Sequence, residues 1–357
     1  MRCLFATNHS YLPQRVGGSE STTHELCLAL TRRGWHCSVL ATPLRTSIRG
    51  RASRIARRVF AGTAAMPCDT QMGYPVYRVA STVESARAVA DAVRPSVVVV
   101  QAGAPVPLAE AFAAMGIPTT LYVHDVEFHQ LGGSLRRRPN LSFLANSRFT
   151  ARKVAQAYGF HPPVLPPLVT PGLYKVQSER RSVVFVNPHP VKGVEIAFAL
   201  ARRRPDIPFE FVESWQLSSE SRRAMLGETA RLPNVHWRNW GLDMKPVYLV
   251  AKLILAPSRW EEGWGRVVSE AQVSGIPALA SRRGGLPESV GPGGILIEPD
   301  AELSEWEQAL ATMWDDSSVY RSLADAAAAH ARRSDFQEDA VVSAFIDSVQ
   351  GRVALSG

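Results

Sequence analysis

Two glutamates flank a glycine-rich turn in the second half of the chain. Residues 253–258 predict a strand, and the turn after it contains Gly263 and Gly265, with a helix predicted to begin near Gly265. A helix start presents free N–H groups and the positive end of its dipole, and both favour an anion such as a diphosphate. Glu262 lies just before this start, and Glu270 lies eight residues further on, up to about 12 Å along the helix axis. A ligand with hydroxyls on both sides of a diphosphate, such as a nucleotide sugar, fits this pattern. An ordinary helix with acidic residues near its start fits the glutamates alone.

Alternating short strands and helices must position this turn, and they predict two doubly wound α/β domains. The first alternation starts with a strand at 4–6, and the second starts with a strand at 183–186. Between them, residues 161–171 contain five prolines, which exclude a helix and predict an extended linker. We expect an N-terminal domain over 1–165, a linker over 166–178 and a C-terminal domain over 179–335. Ligands of such sheets bind outside the carboxyl ends of the strands, and the cleft between the two domains is the expected site.

The bulk composition agrees with a two-domain protein. The chain has 357 residues, which exceeds the roughly 250–300 at which a single core stops growing. No apolar run approaches the roughly 18–20 residues that span a bilayer, and the N-terminal apolar stretch is too short for a signal peptide. We therefore expect a cytoplasmic protein. The four cysteines have no CxxC spacing, so we expect buried free thiols. They are Cys3, Cys27, Cys37 and Cys68.

The net charge of +8 is concentrated in one acid-free interval between Glu25 and Asp69. From Arg45 to Phe60, arginines alternate with apolar residues as in a surface amphipathic helix. Such a segment would contact an anionic membrane, at the inner face of the cell membrane, or an anionic acceptor; a solvated basic loop fits the sequence equally well. Nucleic acid is not expected, because the arginines lack interleaved aromatic side chains that would stack on bases. The arginines of the interval are Arg32, Arg33, Arg45, Arg49, Arg51, Arg54, Arg57 and Arg58.

The turn between the glutamates resembles the E-x7-E motif of the retaining GT-B glycosyltransferases, in particular family 4. Seven further segments resemble motifs of that family and occur in the expected order over nearly the whole chain. They are Gly17-Gly18, the segment at 33–39, His124-Asp125, the segment at 146–150, Lys192-Gly193, the segment at 234–237 and the segment at 281–288.

The resemblance implies a fold and an activity. The fold would be GT-B, with two Rossmann-like domains facing across a cleft and a C-terminal helix over 336–357 that packs back on the first domain. The activity would be transfer of a sugar from a nucleoside diphosphate sugar to a glycan, lipid-linked or small-molecule acceptor, with retention of the anomeric configuration. No Asp-x-Asp pair and no His/Cys cluster with metal-ligand spacing occurs in the sequence, so we expect neither a metal ion nor another cofactor.

The resemblance also implies roles for single residues. Glu262 would bind hydroxyls of the donor sugar, and His124 would lie beside the reacting sugar. Lys192 would neutralise the diphosphate as charge develops on it. The loop at Gly17 and Gly18 would face the phosphates from the first domain. The donor ribose would be bound by Glu270, and the sugar and phosphates by the backbone of Trp264, Gly265, Arg266 and Val267.

Two departures from the family pattern fall in the second domain. An arginine usually follows its first strand, but this chain has Asn187 and Pro188 there. We expect Asn187 at the diphosphate and expect His189, Arg266 or another basic residue to supply the missing charge. The glycine-rich turn after the next strand is replaced by the sequence Glu-Ser-Trp at 213–215, which alters the floor of the nucleotide site.

Two other activities fit the same architecture. One is a nucleotide-sugar epimerase, and the other is a non-catalytic protein that binds nucleotide sugars. The E-x7-E spacing and the Gly-Gly loop favour a transferase over the first, and Lys192, Glu262 and Glu270 together favour an enzyme over the second.

Overall fold

A computed structural model of the chain describes residues 1–44, 68–215, 217–239 and 241–351. The chain divides into two compact units. Unit 1 contains Met1–Leu168 and Glu338–Gly357, and unit 2 contains Val169–Gln337. The basic segment from Arg45 to Arg58 lies outside the described residues.

Unit 1 is organised around a parallel sheet. Its described strands are in the order β3-β4-β2-β1-β5-β6-β7, and the short β3 is antiparallel to β4. β5 is a run of four valines that are all buried, as expected for a central strand covered on both faces. The strands are β1 (Arg2–Ser10), β2 (His36–Thr42), β3 (Cys68–Asp69), β4 (Val76–Arg78), β5 (Val97–Val100), β6 (Thr119–Val123) and β7 (Leu141–Ala145). The helices are α1 (Gly18–Arg32), α2 (Ala86–Val93), α3 (Pro105–Ala114) and α4 (Arg148–Tyr158), with a 3₁₀ turn at Phe128–Gln130.

Unit 2 repeats the same plan. Its described strands form a parallel sheet in the order β10-β9-β8-β11-β12-β13, so β8 lies between β9 and β11. The strands are β8 (Ser182–Val186), β9 (Phe209–Glu213), β10 (Val235–Asn239), β11 (Ala251–Ala256), β12 (Ala278–Ser281) and β13 (Gly294–Ile297). The helices are α5 (Pro171–Tyr174), α6 (Val194–Arg203), α7 (Ser219–Thr229), α8 (Lys245–Val250), α9 (Arg266–Gln272), α10 (Leu286–Val290), α11 (Leu303–Asp315) and α12 (Ser317–Ala331), with 3₁₀ turns at Pro190–Lys192 and Ser334–Phe336.

The last helix, α13 (Glu338–Val349), follows unit 2 in sequence but packs into unit 1. Phe345 is fully buried there and stacks on Phe5 of β1 with ring centroids 5.8 Å apart. The predicted return of the C-terminal helix to the first domain is therefore confirmed.

The start of α13 changes the interpretation of the basic interval. Arg33 Nη2 lies 2.6 Å from Asp339 Oδ1, and Arg32 forms an ion pair with Glu338. These two arginines have counter-charges that are distant in sequence. The absence of acidic residues from the interval therefore does not leave Arg32 and Arg33 without counter-charges.

The segment predicted as a linker over 166–178 is packed against both units. Leu165 and Leu168 lie in a core cluster of unit 1, whereas Val169 and Tyr174 lie in a core cluster of unit 2. The apolar residues Leu165, Leu168 and Val169 between the prolines are buried, and the short helix α5 begins at Pro171. The prediction of a segment that is extended throughout is therefore wrong, because a proline fits the first position of a helix. The boundary between the units falls between Leu168 and Val169.

The cysteine prediction holds for three of the four thiols. Cys3, Cys27 and Cys37 are buried and free, whereas Cys68 is free but exposed, because it lies on the short edge strand β3. Over the described ranges, no helix is long and apolar enough to cross a bilayer.

Candidate functional site

Two of the predicted residues of unit 2, Lys192 and Glu262, lie just after the carboxyl ends of adjacent strands. Lys192 follows β8, and Glu262 follows β11. Because β8 and β11 are parallel neighbours, residues separated by 70 positions in the sequence meet at one edge of the sheet. This is the edge at which open α/β sheets bind ligands.

Backbone contacts hold the two loops together. The carbonyl oxygen of Val191 accepts hydrogen bonds from the N–H groups of Arg259 and Trp260, at 2.9 and 3.0 Å. Gly193 has a φ of 75°, and a Cβ at this position would collide with the carbonyl group of Pro257. The Lys192-Gly193 motif therefore needs its glycine so that the loop after β8 can pack directly on the loop after β11.

Lys192 and Glu262 form an ion pair at the surface of this packed region. Lys192 Nζ lies 2.9 Å from Glu262 Oε1, and the two side chains are 13% and 16% exposed. The ammonium group also lies over the ring of Trp215, 4.7 Å from its centroid. A lysine held between a carboxylate and an aromatic face is ready to bind an anion once the carboxylate moves away.

The paired glycines at 284 and 285 lie in the loop after β12, where this loop contacts the backbone of Glu262. The N–H of Gly285 donates to the carbonyl oxygen of Glu262 at 2.6 Å. A Cβ at Gly284 would lie 2.6 Å from the backbone nitrogen of Glu262, and φ at Gly284 is 62°. The two glycines thus let one loop lie backbone to backbone on the other, which fixes the position of Glu262.

Asn187 and His189 lie in the loop that leads to Lys192. The side-chain oxygen of Asn187 accepts a hydrogen bond from the N–H of Trp215 at 2.8 Å, and its own N–H donates to Val212 at 2.8 Å. His189 Nδ1 accepts from the N–H of Val191 at 3.3 Å. Both side chains therefore shape the two neighbouring loops after β8 and β9. The sequence interpretation noted the change at 213–215 but did not identify Trp215 as a site residue.

The start of α9 is built tightly into unit 2. Trp264 is buried, its indole N–H donates to Ser269 Oγ at 2.9 Å, and its ring stacks on Phe336. Gly265 precedes the helix with a φ of 91°, and a Cβ there would lie 2.5 Å from a methyl group of Leu286. Val267 is partly buried in the core. The helix begins at Arg266, one residue after the predicted start.

Glu270 belongs to a buried hydrogen-bond network of four polar side chains. Arg266 Nε donates to Glu270 Oε1 at 2.7 Å, and the hydroxyl of Tyr248 donates to Glu270 Oε2 at 2.5 Å. The guanidinium of Arg266 also donates to the hydroxyl of Tyr174 at 2.9 Å. Burial, reinforced by the Glu270 carboxylate, raises the pKa of Tyr248 well above its usual value, so Tyr248 stays a donor. The guanidinium expected to replace the missing diphosphate arginine thus contacts Glu270 and Tyr174.

In unit 1, the Gly-Gly loop lies beside a buried carboxylate. Gly17 precedes α1, and a Cβ there would lie 2.6 Å from Glu20 Oε2. The Glu20 side chain is 2% exposed, and its Oε1 lies 3.3 Å from both His9 Nε2 and Arg15 Nε. Gly18 is the first residue of α1. Glu20, His9 and Arg15 were not identified from the sequence, although Glu20 is only two residues after the motif.

His124 follows β6 and is oriented by a neighbouring amide. Its Nε2 lies 2.8 Å from Gln101 Oε1, and its ring centroid lies 4.2 Å from that of Tyr122. Because an amide oxygen only accepts, Nε2 is the donor in this bond. Gln101 in turn donates to the hydroxyl of Thr23 on α1. The carboxyl ends of β5 and β6 and the helix after the Gly-Gly loop thus share one polar network.

Comparison with known proteins agrees with the division of the chain into two units. The sequence model described as "Glycosyltransferase Family 4" matches residues 16–172, and the model described as "Glycosyl transferases group 1" matches residues 183–316. Both halves of the chain are thus similar to a glycosyltransferase model. The family 4 match covers most of unit 1, and the group 1 match contains Lys192, Glu262 and Glu270.

Curated relatives are similar to this chain over parts of their own length. The D-inositol 3-phosphate glycosyltransferase of Corynebacterium kroppenstedtii is 35% identical over 111 residues, which cover 28% of this chain and 24% of that protein. The enzyme of the same name from Segniliparus rotundus is 28% identical over 243 residues, covering 60% of this chain and 52% of that protein. The chain therefore matches about a quarter to a half of the length of these relatives.

Solved structures match over nearly the full chain and confirm the GT-B fold. The structure of Anabaena Alr3699/HepE in complex with UDP-glucose has a TM-score of 0.75 and 18% identity, and the match covers 98% of this chain and 99% of that one. In the part of the chain that the structure describes, no three His, Cys, Asp or Glu side chains are grouped as a metal site would require.

Proposed function

We propose that the chain transfers a sugar from a nucleoside diphosphate sugar to an acceptor hydroxyl, with retention of the anomeric configuration and without a metal ion. The observation that carries the proposal is the Lys192–Glu262 pair, at 2.9 Å, held by glycine-dependent loops in unit 2. A cation beside a carboxylate matches the two chemically different parts of such a donor, the diphosphate and the sugar hydroxyls.

Binding of the donor would separate this pair. The diphosphate takes the ammonium group of Lys192, which leaves the Glu262 carboxylate free to accept hydrogen bonds from sugar hydroxyls. Charge-assisted hydrogen bonds of both kinds are stronger than neutral ones. The apo ion pair therefore keeps both groups in place and satisfied until a ligand with both functions arrives.

Lys192 would also act on the reaction itself. As the bond between the anomeric carbon and the diphosphate oxygen breaks, negative charge develops on the leaving phosphate, and a fixed ammonium group stabilises that charge. The acceptor oxygen forms its bond to the anomeric carbon on the same face, and its proton passes to the leaving phosphate oxygen. This route retains the configuration and uses no carboxylate nucleophile.

The remaining predicted residues take supporting roles in this proposal. Glu270, held in place by Tyr248 and Arg266, would accept hydrogen bonds from the ribose. His124 would contact hydroxyls of the reacting sugar, and Gly17 and Gly18 would let the backbone of unit 1 approach the phosphates. The backbone of residues 264–267, with Asn187, would complete the donor site.

A binding screen followed by product analysis tests the proposal. Because a similar protein was solved with UDP-glucose, UDP and UDP-glucose come first, followed by the GDP, ADP and TDP series. A ligand at about 100 times its Kd stabilises the protein by about 2.7 kcal/mol, a readable shift in Tm. Release of nucleoside diphosphate with an acceptor, and an NMR spectrum showing the donor's anomeric configuration in the product, would support the proposal. Conversion of the donor without an acceptor would indicate an epimerase, and binding without turnover of any donor would indicate a binding protein.

A further inference from the structure

We infer that Trp215 is a positioning residue for Lys192, holding the ammonium group over its ring where the diphosphate binds. The inference rests on the proposed function, since it assigns Lys192 to the diphosphate. It adds a residue that the family resemblance does not supply, because Trp215 lies where the family usually has a glycine-rich turn.

The geometry is that of a cation–π contact. Lys192 Nζ lies 4.7 Å from the centroid of the Trp215 ring, inside the roughly 6 Å over which such contacts are attractive, and tryptophan is the most effective aromatic partner. The Lys192 side chain is 13% exposed, so water screens the contact less than it would at an open surface.

The position of Trp215 is fixed by the other departure from the family pattern. Its N–H donates to the side-chain oxygen of Asn187 at 2.8 Å, and Asn187 stands where the family usually has the diphosphate arginine. The ring of His189 also packs against Trp215, with centroids 6.2 Å apart. The two departures, one after β8 and one after β9, therefore meet in a single contact. We interpret them as one change. The arginine that usually binds the diphosphate is absent, and Trp215 instead holds Lys192 in place for the diphosphate.

Trp215 would keep Lys192 in position while Lys192 exchanges Glu262 for the diphosphate. In the free protein Lys192 contacts both Glu262 and Trp215, and in the donor complex the diphosphate would replace Glu262. The aromatic face is neutral, so it attracts the ammonium without competing for it as a carboxylate would. It therefore keeps the side chain extended in both states, and less rotamer freedom is lost when the phosphate binds.

A direct contact with the ligand is the competing interpretation, in which the ring stacks on the nucleobase. The structure favours the positioning role, because Lys192 already lies over the ring and Asn187 fixes the backbone that carries it. The two roles differ in one measurable respect: stacking acts on the base, whereas positioning acts on the diphosphate through Lys192.

Isothermal titration of UDP and of inorganic pyrophosphate separates these roles. We expect Trp215→Leu to weaken both ligands about tenfold and Trp215→Phe, which restores an aromatic face, to stay within about threefold of wild type. In a Lys192→Met background, Trp215→Leu should change either affinity by less than about twofold, because the partner through which it acts is gone. The Tm of each variant shows whether it folds.

A second measurement tests the electrostatic nature of the contact. Protein labelled throughout with 5-fluorotryptophan has a weaker negative potential on its indole faces, so pyrophosphate should bind less tightly to it than to unlabelled protein. The same label in the Trp215→Phe variant should have no such effect, although the other tryptophans remain fluorinated.

The outcomes distinguish the inference from the function on which it rests. Loss of UDP affinity with unchanged pyrophosphate affinity, or an equal effect of Trp215→Leu with and without Lys192, would overturn the positioning role while leaving the proposed function intact. If wild-type protein bound no nucleoside diphosphate or pyrophosphate, both would fall. Coupled losses with rescue by phenylalanine would support the inference.

Discussion

Lys192 Nζ lies 2.9 Å from Glu262 Oε1, so the two groups that we assign to different parts of one donor are bonded to each other in the free protein. Because they are paired, Glu262 competes with the diphosphate for Lys192, and Lys192 competes with the sugar hydroxyls for Glu262. A free nucleoside diphosphate, which offers phosphate but no sugar, must remove Lys192 from Glu262 without compensating the carboxylate. A complete donor satisfies both. The pair therefore favours donor over product in this site.

Glu262→Gln should separate binding from turnover. The amide no longer competes for Lys192, so we expect UDP to bind a few-fold more tightly, whereas turnover of the sugar donor should fall by about 100-fold or more, as for loss of a charged transition-state contact. Titration of UDP and a steady-state assay measure the two effects on one preparation.

Lys192→Met is the matched control for this variant, because it removes the other half of the same ion pair. It should weaken UDP and the sugar donor alike. If Glu262→Gln weakened UDP as much as Lys192→Met does, the competition between Glu262 and the diphosphate would be disproved. Turnover at the wild-type rate in Glu262→Gln would disprove its role at the sugar.

Tyr248→Phe should weaken recognition of the ribose. The hydroxyl of Tyr248 donates to Glu270 Oε2 at 2.5 Å inside unit 2, and loss of a hydrogen bond to a charged group costs about 1.5–3 kcal/mol. We expect the carboxylate to shift, so that the variant binds UDP about tenfold less tightly. Wild type should prefer UDP to 2′-deoxy-UDP, and the variant should have lost most of that preference.

Comparison of UDP with 2′-deoxy-UDP shows whether the lost affinity comes from the ribose contact. If Tyr248→Phe weakened UDP and 2′-deoxy-UDP by the same factor, Tyr248 would support the fold of the site and not the contact of Glu270 with the ribose. Equal binding of the two ligands by wild type would remove Glu270 from the ribose altogether.

The sequence predicts features that depend on residues close together along the chain. It does not predict contacts between residues that are far apart in sequence. The alternation of strands and helices recurs along the whole chain, and it predicted both Rossmann-like units. The Arg266–Glu270 pair is also accessible from the sequence, because residues four apart share one face of a helix. Tyr174 and Tyr248 join this network only because α5 and α8 pack on α9, which no local pattern encodes.

The position of Trp215 was missed for the same reason. The sequence shows that a glycine-rich turn is absent, but the partner of the new side chain is Lys192, which lies in the loop of the adjacent strand. The docking of α13 is similar, since Arg33 and Asp339 meet across 306 positions. Pairings between loops of neighbouring strands depend on strand order, and strand order is a property of the assembled sheet.

Gly284→Ala should damage both stability and the site. A Cβ there would lie 2.6 Å from the backbone nitrogen of Glu262, and φ is 62°, so the loop must move. We expect the free energy of unfolding to fall by about 2 kcal/mol or more and turnover to fall with it. Gly159→Ala is the control, since φ there is 74° but no atom lies within 4 Å of the added Cβ. It should be milder and leave donor binding unchanged. Equal effects of the two variants on donor binding would show that the Gly284 contact does not position Glu262.

Removal of divalent metal should leave the reaction unchanged. Lys192 would supply the positive charge that a metal ion supplies to the diphosphate in other enzymes, so millimolar EDTA should alter turnover by less than about twofold. The measurement is the initial rate after chelation, with and without added Mg²⁺. A rate that collapses with EDTA and returns with Mg²⁺ would contradict the metal-free part of the proposal.

The basic segment between Arg45 and Arg58 should bind anionic membranes. It contains six arginines and no acidic residue, and each basic residue near an anionic surface contributes about 1 kcal/mol. Sedimentation should show binding to vesicles of phosphatidylglycerol but not of phosphatidylcholine, with loss at high salt. Replacement of Arg54, Arg57 and Arg58 by Gln should weaken binding by about two orders of magnitude, whereas the same change at the exposed Arg181, Arg202 and Arg231 of unit 2 should not. Equal binding to both kinds of vesicle would rule out the membrane. An increase in the acceptor KM of the triple variant, with no change in vesicle binding, would instead assign the segment to an anionic acceptor.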